Sequence, residues 1–263
     1  MSPHVIAIEG NIGAGKSTQI RRMAELFKDN ERVVVLPEPV DEWVKKGFLD
    51  GMYNGTITKG EFQHCVLMSL AGDLLKALAR KPTPALIITE RSPWSNHYVF
   101  AKANLAGTSL ELYKHTWNRV LGGLPSELDV KYVYLQTKVD TIVARMMARG
   151  RDAEAGVSRE YLETLDKNHE DFICKETYMH SILDGDRDEE AVWHDLCVQL
   201  REWTEELGDE LGCVLQDTDL STKQVSELKI IQVAAREASL RLELESPSPG
   251  RASKRARDDP ETA

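Results

Sequence analysis

The sequence predicts an α/β fold, a five-stranded parallel sheet with helices on both faces, and three observations carry that reading. Short, almost uninterrupted apolar runs alternate with longer helical stretches, the pattern of strands covered on both faces by crossover helices. A glycine-rich turn ending in Lys16-Ser17 joins the first run to the first helix. Hydrophobic residues make up 41% and charged residues 29% of the 263, a globular balance that supports one sizeable core.

In chain order, the first strand is predicted at Val5 to Ile8 and the first helix at about Lys16 to Lys28. Val33 to Leu36 reads as the second strand, followed by helices over Asp41 to Tyr53 and Glu61 to Arg80. Leu86 to Thr89 is the third strand; Thr108-x-x-Glu111 reads as a capping box that starts a helix over Ser109 to Leu121. Tyr132 to Leu135 is the fourth strand, with helices at Val139 to Ala148 and Ser158 to Ile173, and a weaker fifth strand falls at Cys213 to Leu215. Between them, Asp184 to Leu207 opens acidic and then places Val192, Leu196, Leu200, Trp203 and Leu207 at helical steps on one face. The acidic triplet Asp184-Gly-Asp186-Arg-Asp188 lacks the glycine that a calcium loop needs at its turn, so an acidic helix start is expected there. One domain over 1–245 accounts for this pattern. Residues 246–263 turn to Ser-Pro-Ser-Pro-Gly and Lys254-Arg-Ala-Arg, with nothing to anchor a core, and are expected to be disordered.

Lys plus Arg number 33 against 43 Asp plus Glu, a formal charge of -10, so a surface for nucleic-acid polymers is not expected. The apolar runs last only a few residues, far below the ~18 of a membrane span. Four widely separated cysteines, Cys65, Cys174, Cys197 and Cys213, suit free thiols in a reducing compartment. The strand pattern starts at His4, which leaves no room for a secretory or mitochondrial leader. Cytosol is the expected location, and the basic cluster of the tail offers a nuclear-import signal.

Gly10-Asn11-Ile12-Gly13-Ala14-Gly15-Lys16-Ser17 matches G-x-x-x-x-G-K-[ST] between a predicted strand and a predicted helix. Such a loop wraps a polyphosphate with backbone N–H groups and the helix N-terminus, while the lysine reaches the β- and γ-phosphates and the serine can hold Mg²⁺. ATP or GTP with Mg²⁺ is therefore the expected ligand. In open α/β sheets ligands bind beyond the carboxyl ends of the strands, and those positions are unusually polar here: Pro37-Glu38-Pro39, Glu90-Arg91-Ser92 and Asp217-Thr218-Asp219. Prolines on both sides hold Glu38 rigidly. Arg145, Arg149, Arg151 and Glu154 crowd one helix end, and an arginine-bearing lid over the phosphates is expected there.

Together, these segments resemble the deoxyribonucleoside kinases, the family of the insect multisubstrate enzyme and of the deoxycytidine, deoxyguanosine and mitochondrial thymidine kinases. The likeness rests on Ile8-Glu-Gly-Asn-Ile-Gly-Ala-Gly-Lys-Ser17, Glu38-Pro-Val-Asp-Glu-Trp43, Met52-Tyr53, Phe62-Gln63, Glu90-Arg91-Ser92, Arg149-x-Arg151-x-x-Glu154 and His169-Glu-Asp171. It runs from about His4 to Phe172 and resumes at Cys213 to Leu220, with no counterpart over 175–212. The resemblance implies a P-loop kinase fold that transfers the ATP γ-phosphate to the 5′-hydroxyl of a deoxynucleoside, and a homodimer.

By the same resemblance, Glu38 is the general base and Arg91 positions it, while Lys16, Arg149 and Arg151 neutralise charge. Ser17 and Glu90 hold Mg²⁺. The loop from Gly10 to Thr18, with Arg145, binds the phosphates, and Asp217, Thr218 and Asp219 lie beside the adenine. Tyr53 and Glu154 bind the sugar 3′-hydroxyl, Gln63 reads the base, and Trp43, Val66 and Phe100 line its pocket. Thymidine-excluding relatives carry an arginine and an aspartate where this chain has Leu70 and Asn96, so thymidine is expected to be accepted and the substrate to be a pyrimidine deoxynucleoside, thymidine and/or deoxycytidine; an amide such as Gln63 offers donor and acceptor to either. A thymidylate-type nucleotide kinase and a noncatalytic subunit of the same fold stay open as alternatives.

Overall fold

A computed structural model describes residues 3–126, 128–151, 154, 156–173 and 180–206. The chain runs β1 (His4–Glu9), α1 (Lys16–Leu26), β2 (Val33–Leu36), α2 (Val40–Lys45), α3 (Phe48–Asn54), α4 (Lys59–Leu78) and β3 (Leu86–Glu90). A helical stretch over 93–104 follows, α5, whose middle, Asn96–Ala101, is a π-helix. Then come α6 (Gly107–Leu121), β4 (Val130–Gln136), α7 (Val139–Arg149), α8 (Arg159–Ile173), β5 (His180–Asp184) and α9 (Glu189–Glu206). All five strands are parallel in the order β2-β3-β1-β4-β5. The expected α/β class is therefore the observed one.

Strand β1 is central, and Val5, Ile6, Ala7 and Ile8 are all buried. Alternation places Val5 and Ala7 on one face, where Leu74 and Ala77 of α4, Val99 and Phe100 of α5 and Leu165 and Phe172 of α8 cover them. Ile6 and Ile8 point the other way, and α1 packs against β1, β2 and β3. Two buried layers on one strand explain why the run reads as continuously apolar.

Three expectations change. The fifth strand of the sheet is His180–Asp184, paired in register with Tyr132 to Gln136, and it falls inside the segment expected to be extra. Its signal was weak because an edge strand is covered less: only Leu183 is buried. The expected strand at 213–215 and the 246–263 tail lie outside the described residues. Capping fails at Thr108, which lies inside α6 behind an Ala106 cap; the reciprocal box forms instead at Thr58 and Glu61, at the start of α4. The helix expected over Asp41 to Tyr53 is broken by Gly47, whose φ of 71° ends α2 and starts α3. The apolar face of α9 forms as spaced over its described residues, with Val192, Leu196, Leu200 and Trp203 buried, while Leu207 lies outside them.

Candidate active site

The loops after all five strands meet at one end of the sheet. Gly10, Gly13 and Gly15 take φ of 152°, 79° and 103°, and a Cβ on Gly10 would stand 3.0 Å from the Leu135 carbonyl oxygen. Only glycine turns the chain this closely under β4. Asn11 fixes the loop from below, donating Nδ2 to the Leu162 carbonyl at 2.9 Å and accepting from the Ile12 N–H at 2.8 Å. Lys16 is buried, with Nζ on the Gly10 and Asn11 carbonyls at 2.9 and 2.8 Å. Burial lowers its affinity for a proton, opposed by the charges of Glu90 and Glu38. An ammonium has three donors, so one remains for a ligand.

Facing this loop, Glu90 ends β3 and ties two neighbours together. Its Oε1 accepts from Ser17 Oγ at 2.5 Å and its Oε2 from the Glu38 N–H at 3.3 Å. Burial, then the nearby Glu38 charge, raises the Glu90 pKa. Arg91 has a φ of 64°, the only positive value outside glycine among the described residues. That bend turns its side chain across the sheet end, where Nη1 donates to Glu38 Oε1 at 2.5 Å and Nη2 to Asn96 Oδ1 at 3.3 Å. The guanidinium lies 3.6 Å from the centroid of the Phe100 ring, a contact worth about 2 kcal/mol when desolvated. Glu38 is thus a nearly buried carboxylate with one oxygen held by an arginine.

Two cavities open on this cluster. The larger, about 530 Å³, is lined by Gly13 to Thr18, Arg145, Arg187, Gly185 and Glu189. The smaller, about 110 Å³, is walled by Trp43, Tyr53, Gln63, Val66, Phe100 and Tyr161. Lys16, Ser17, Glu38, Glu90, Arg149 and Arg151 line both. Seven cations, counting Arg21, Arg91, Arg145 and Arg187, therefore gather in a chain of net charge -10, as a polyphosphate would require. Glu154 pairs with Arg149 and with Arg151, the latter at 2.9 Å. Tyr53 stands on the same side, its hydroxyl proton retained more tightly through burial. At the far end, Gln63 is buried and its Oε1 has no partner among the described residues.

Most expected site residues therefore converge, and the exceptions are specific. Leu70 and Asn96 lie outside the walls of the smaller cavity. Leu70 packs behind Trp43, Phe62 and Val66. Asn96 is fully buried and donates Nδ2 to the Gln63 carbonyl at 3.2 Å and to the Tyr113 hydroxyl at 2.7 Å. It braces the wall from behind because its amide is consumed by protein partners. Asp217, Thr218 and Asp219 lie outside the described residues. The loop that follows β5, residues 185–188, reaches the larger cavity, with Arg145 Nη2 donating to the Arg187 carbonyl at 3.3 Å. Sequence reasoning missed Arg187, Glu189 and Tyr161; the rule of inspecting strand ends would have found the first two had β5 been recognised.

The sequence profile of the deoxynucleoside kinase family matches residues 6–204, which includes β5 and α9. The chain is 34% identical over 206 residues to deoxycytidine kinase 1 of Xenopus laevis, covering 65% of this chain and 74% of that one. Deoxycytidine kinase 2 of Gallus gallus is 32% identical over 202 residues, with the same shares of 65% and 74%. Among solved structures, deoxyadenosine kinase from M. mycoides with the products dCMP and a flexible dCDP bound superposes with a TM-score of 0.59 at 25% identity. The alignment covers 75% of this chain and 99% of that one. With the phosphate loop, the buried acid and the shared cavity wall in place, the chain belongs to the deoxynucleoside kinase family, and it is a phosphotransferase.

Proposed function

We propose that this protein transfers the γ-phosphate of ATP to the 5′-hydroxyl of a pyrimidine deoxynucleoside, thymidine or deoxycytidine, supplying deoxynucleoside monophosphate for DNA precursors. The observation that carries the reading is the common wall: Lys16, Ser17, Glu38, Glu90, Arg149 and Arg151 each face both cavities. A phosphoryl group passing from one to the other must cross between them. ATP occupies the larger cavity, with Lys16 and the Gly10 to Thr18 backbone on its phosphates and Arg145 and the 185–188 loop beyond. The nucleoside occupies the smaller.

Glu38 accepts the 5′-hydroxyl proton as that oxygen bonds to the γ-phosphorus, and the bond from phosphorus to the bridging oxygen breaks to release ADP. Arg91 holds Glu38 Oε1 and leaves Oε2 for the hydroxyl. Arg149 and Arg151 act as the lid over the transferring phosphoryl group, and Tyr53 and Glu154 hold the 3′-hydroxyl. The hard oxygens of Ser17 and Glu90, 2.5 Å apart at the shared wall, suit Mg²⁺, which takes few protein ligands and shares the rest with phosphates and water. When bound, that ion neutralises charge on the β- and γ-phosphates.

Gln63 supports pyrimidine selection, because its unpartnered buried oxygen needs a base edge to satisfy it. Trp43, Phe62, Val66 and Phe100, which line the same cavity, are aromatic or aliphatic and supply contact that suits thymine and cytosine alike. A thymidylate-type kinase would have to place a second phosphate against Glu38, which like charge disfavours. A homodimer is part of the reading, supported by Met68 on α4 and Leu112 on α6, both more than half exposed on two helices that pack together. The four cysteines support the cytosol, and the basic tail cluster supports passage to the nucleus. Competition among the four deoxynucleosides and thymidylate with ATP and Mg²⁺ tests the reading. Glu38→Gln should lose at least about 10³-fold in kcat while ATP binding by calorimetry is kept. Unchanged turnover in that variant removes Glu38 as the base.

A further inference from the structure

The geometry points to Glu9 as a positioning residue: buried at the end of β1, it holds Arg91, through Ser92, in the backbone conformation that aims the guanidinium at Glu38. This inference rests on the phosphoryl-transfer reading above. Glu9 is fully buried and lines neither cavity, so any influence on the reaction travels through other groups.

Arg91 is the bend on which that influence acts. A φ of 64° is one that a residue with a side chain adopts only when its surroundings impose it. Here two consecutive residues of β1 grip it from both sides. The Arg91 N–H donates to the Ile8 carbonyl at 3.0 Å, and the Ser92 hydroxyl donates to Glu9 Oε1 at 2.6 Å. A serine hydroxyl has one proton, and with it committed to Glu9 the oxygen is turned to accept the Ser95 N–H at 3.1 Å, which caps α5. The Ser95 hydroxyl in turn donates to the Ser92 carbonyl at 3.1 Å. The carboxyl of Glu9 therefore sets the direction in which the chain leaves Arg91.

Stability alone gives this carboxyl no reason to be here. Its Oε2 is buried with no partner among the described residues. Burial raises its pKa to about 7 against the hydroxyls of Ser92 and Ser95 and the charges of Arg91 and Lys16. An apolar side chain would be the cheaper occupant of the same space. What an apolar residue could not do is accept the Ser92 proton.

Steady-state kinetics per folded enzyme, with melts run alongside, test the assignment in Glu9→Ala, Glu9→Gln, Ser92→Ala and the Glu9→Ala/Ser92→Ala double variant. Glu9→Ala and Ser92→Ala are each expected to lower kcat at least about tenfold, since small misplacement of a catalytic group is costly. The KM values for ATP and nucleoside should stay within about twofold. Glu9→Gln keeps an acceptor oxygen and should recover to within about threefold of wild type. The double variant should be no slower than the slower single one, because both cut the same hydrogen bond. Wild-type kcat in Glu9→Ala, additive losses in the double variant, or a Glu9→Gln as slow as Glu9→Ala would each overturn the assignment. Should Glu9→Ala not fold, Ser92→Ala and Glu9→Gln decide it by the same criteria. Glu38→Gln separates the two claims: turnover lost there and kept in Glu9→Ala rejects only the role of Glu9, whereas an inactive wild type rejects both.

Discussion

His169 makes the folded state sensitive to acid, and replacing it with phenylalanine should remove that sensitivity. The ring is fully buried, stacked on Tyr134 at 5.6 Å between centroids and edge-on to Phe100 at 5.7 Å. Its Nδ1 sits 2.8 Å from the Leu165 carbonyl, and its Nε2 is buried without a partner among the described residues. Burial, reinforced by the charges of Lys16 and Arg91, lowers its pKa from 6.5 to about 3. Below pH 6.5 the unfolded chain takes up a proton that the folded chain refuses, so stability is complete above 6.5 and falls as pH drops towards 3. Between pH 6.5 and 4.5 the loss is about 3 kcal/mol, at ~1.36 kcal/mol per decade, or roughly 5–10 °C in Tm for a domain of this size.

Glu9 acts with the opposite sign over part of this range. Its folded-state pKa is raised from 4.5 to about 7, so its contribution is present below 4.5 and is lost as pH rises towards 7. Wild-type stability alone would blend the two. Because His169→Phe leaves Glu9 in place, the difference between variant and wild type isolates the histidine. Urea unfolding at pH 7.5 and 4.5 should show the variant gaining about 3 kcal/mol on the wild type at the lower pH. An identical difference at both pH values would refute the neutral, buried imidazole.

Three further outcomes follow from particular contacts. Thr58→Ala removes the reciprocal cap of α4 and should cost about 1 kcal/mol in urea unfolding with kcat unchanged. Gly10→Ala drives a methyl to 3.0 Å from the Leu135 carbonyl oxygen at a φ of 152°, so both the melting temperature and the calorimetric affinity for ATP should fall. Gln63→Leu keeps the volume of the smaller cavity and deletes its base-edge groups; kcat/KM should drop about tenfold or more for thymidine and deoxycytidine alike, since the bases lose a buried partner.

How much of this was legible beforehand depended on the range of the signal. The phosphate loop, Glu38 between prolines, Glu90-Arg91 and the first four strands are local patterns, each carried by neighbouring residues whose chemistry or burial is self-evident. The box at Thr58-x-x-Glu61 was as local as the false one at Thr108, and only the position of the helix start separates them. His180–Asp184 escaped because one side of an edge strand needs no apolar residues, so the loop that follows it was not inspected as a strand end.

By itself the sequence determined the fold class and located the phosphate loop and the acid held between prolines, because a polyphosphate cradle and a rigidly held acid demand particular residues at particular spacings. Only tertiary structure decided that Asn96 braces the wall instead of facing the cavity. It also decided that Arg187 and Tyr161 join the site and that Glu9 grips the Arg91 bend from a neighbouring strand. Those placements depend on which side chains consume each other's hydrogen bonds, and Glu9 and Ser92, 83 positions apart, meet only when parallel strands align in register.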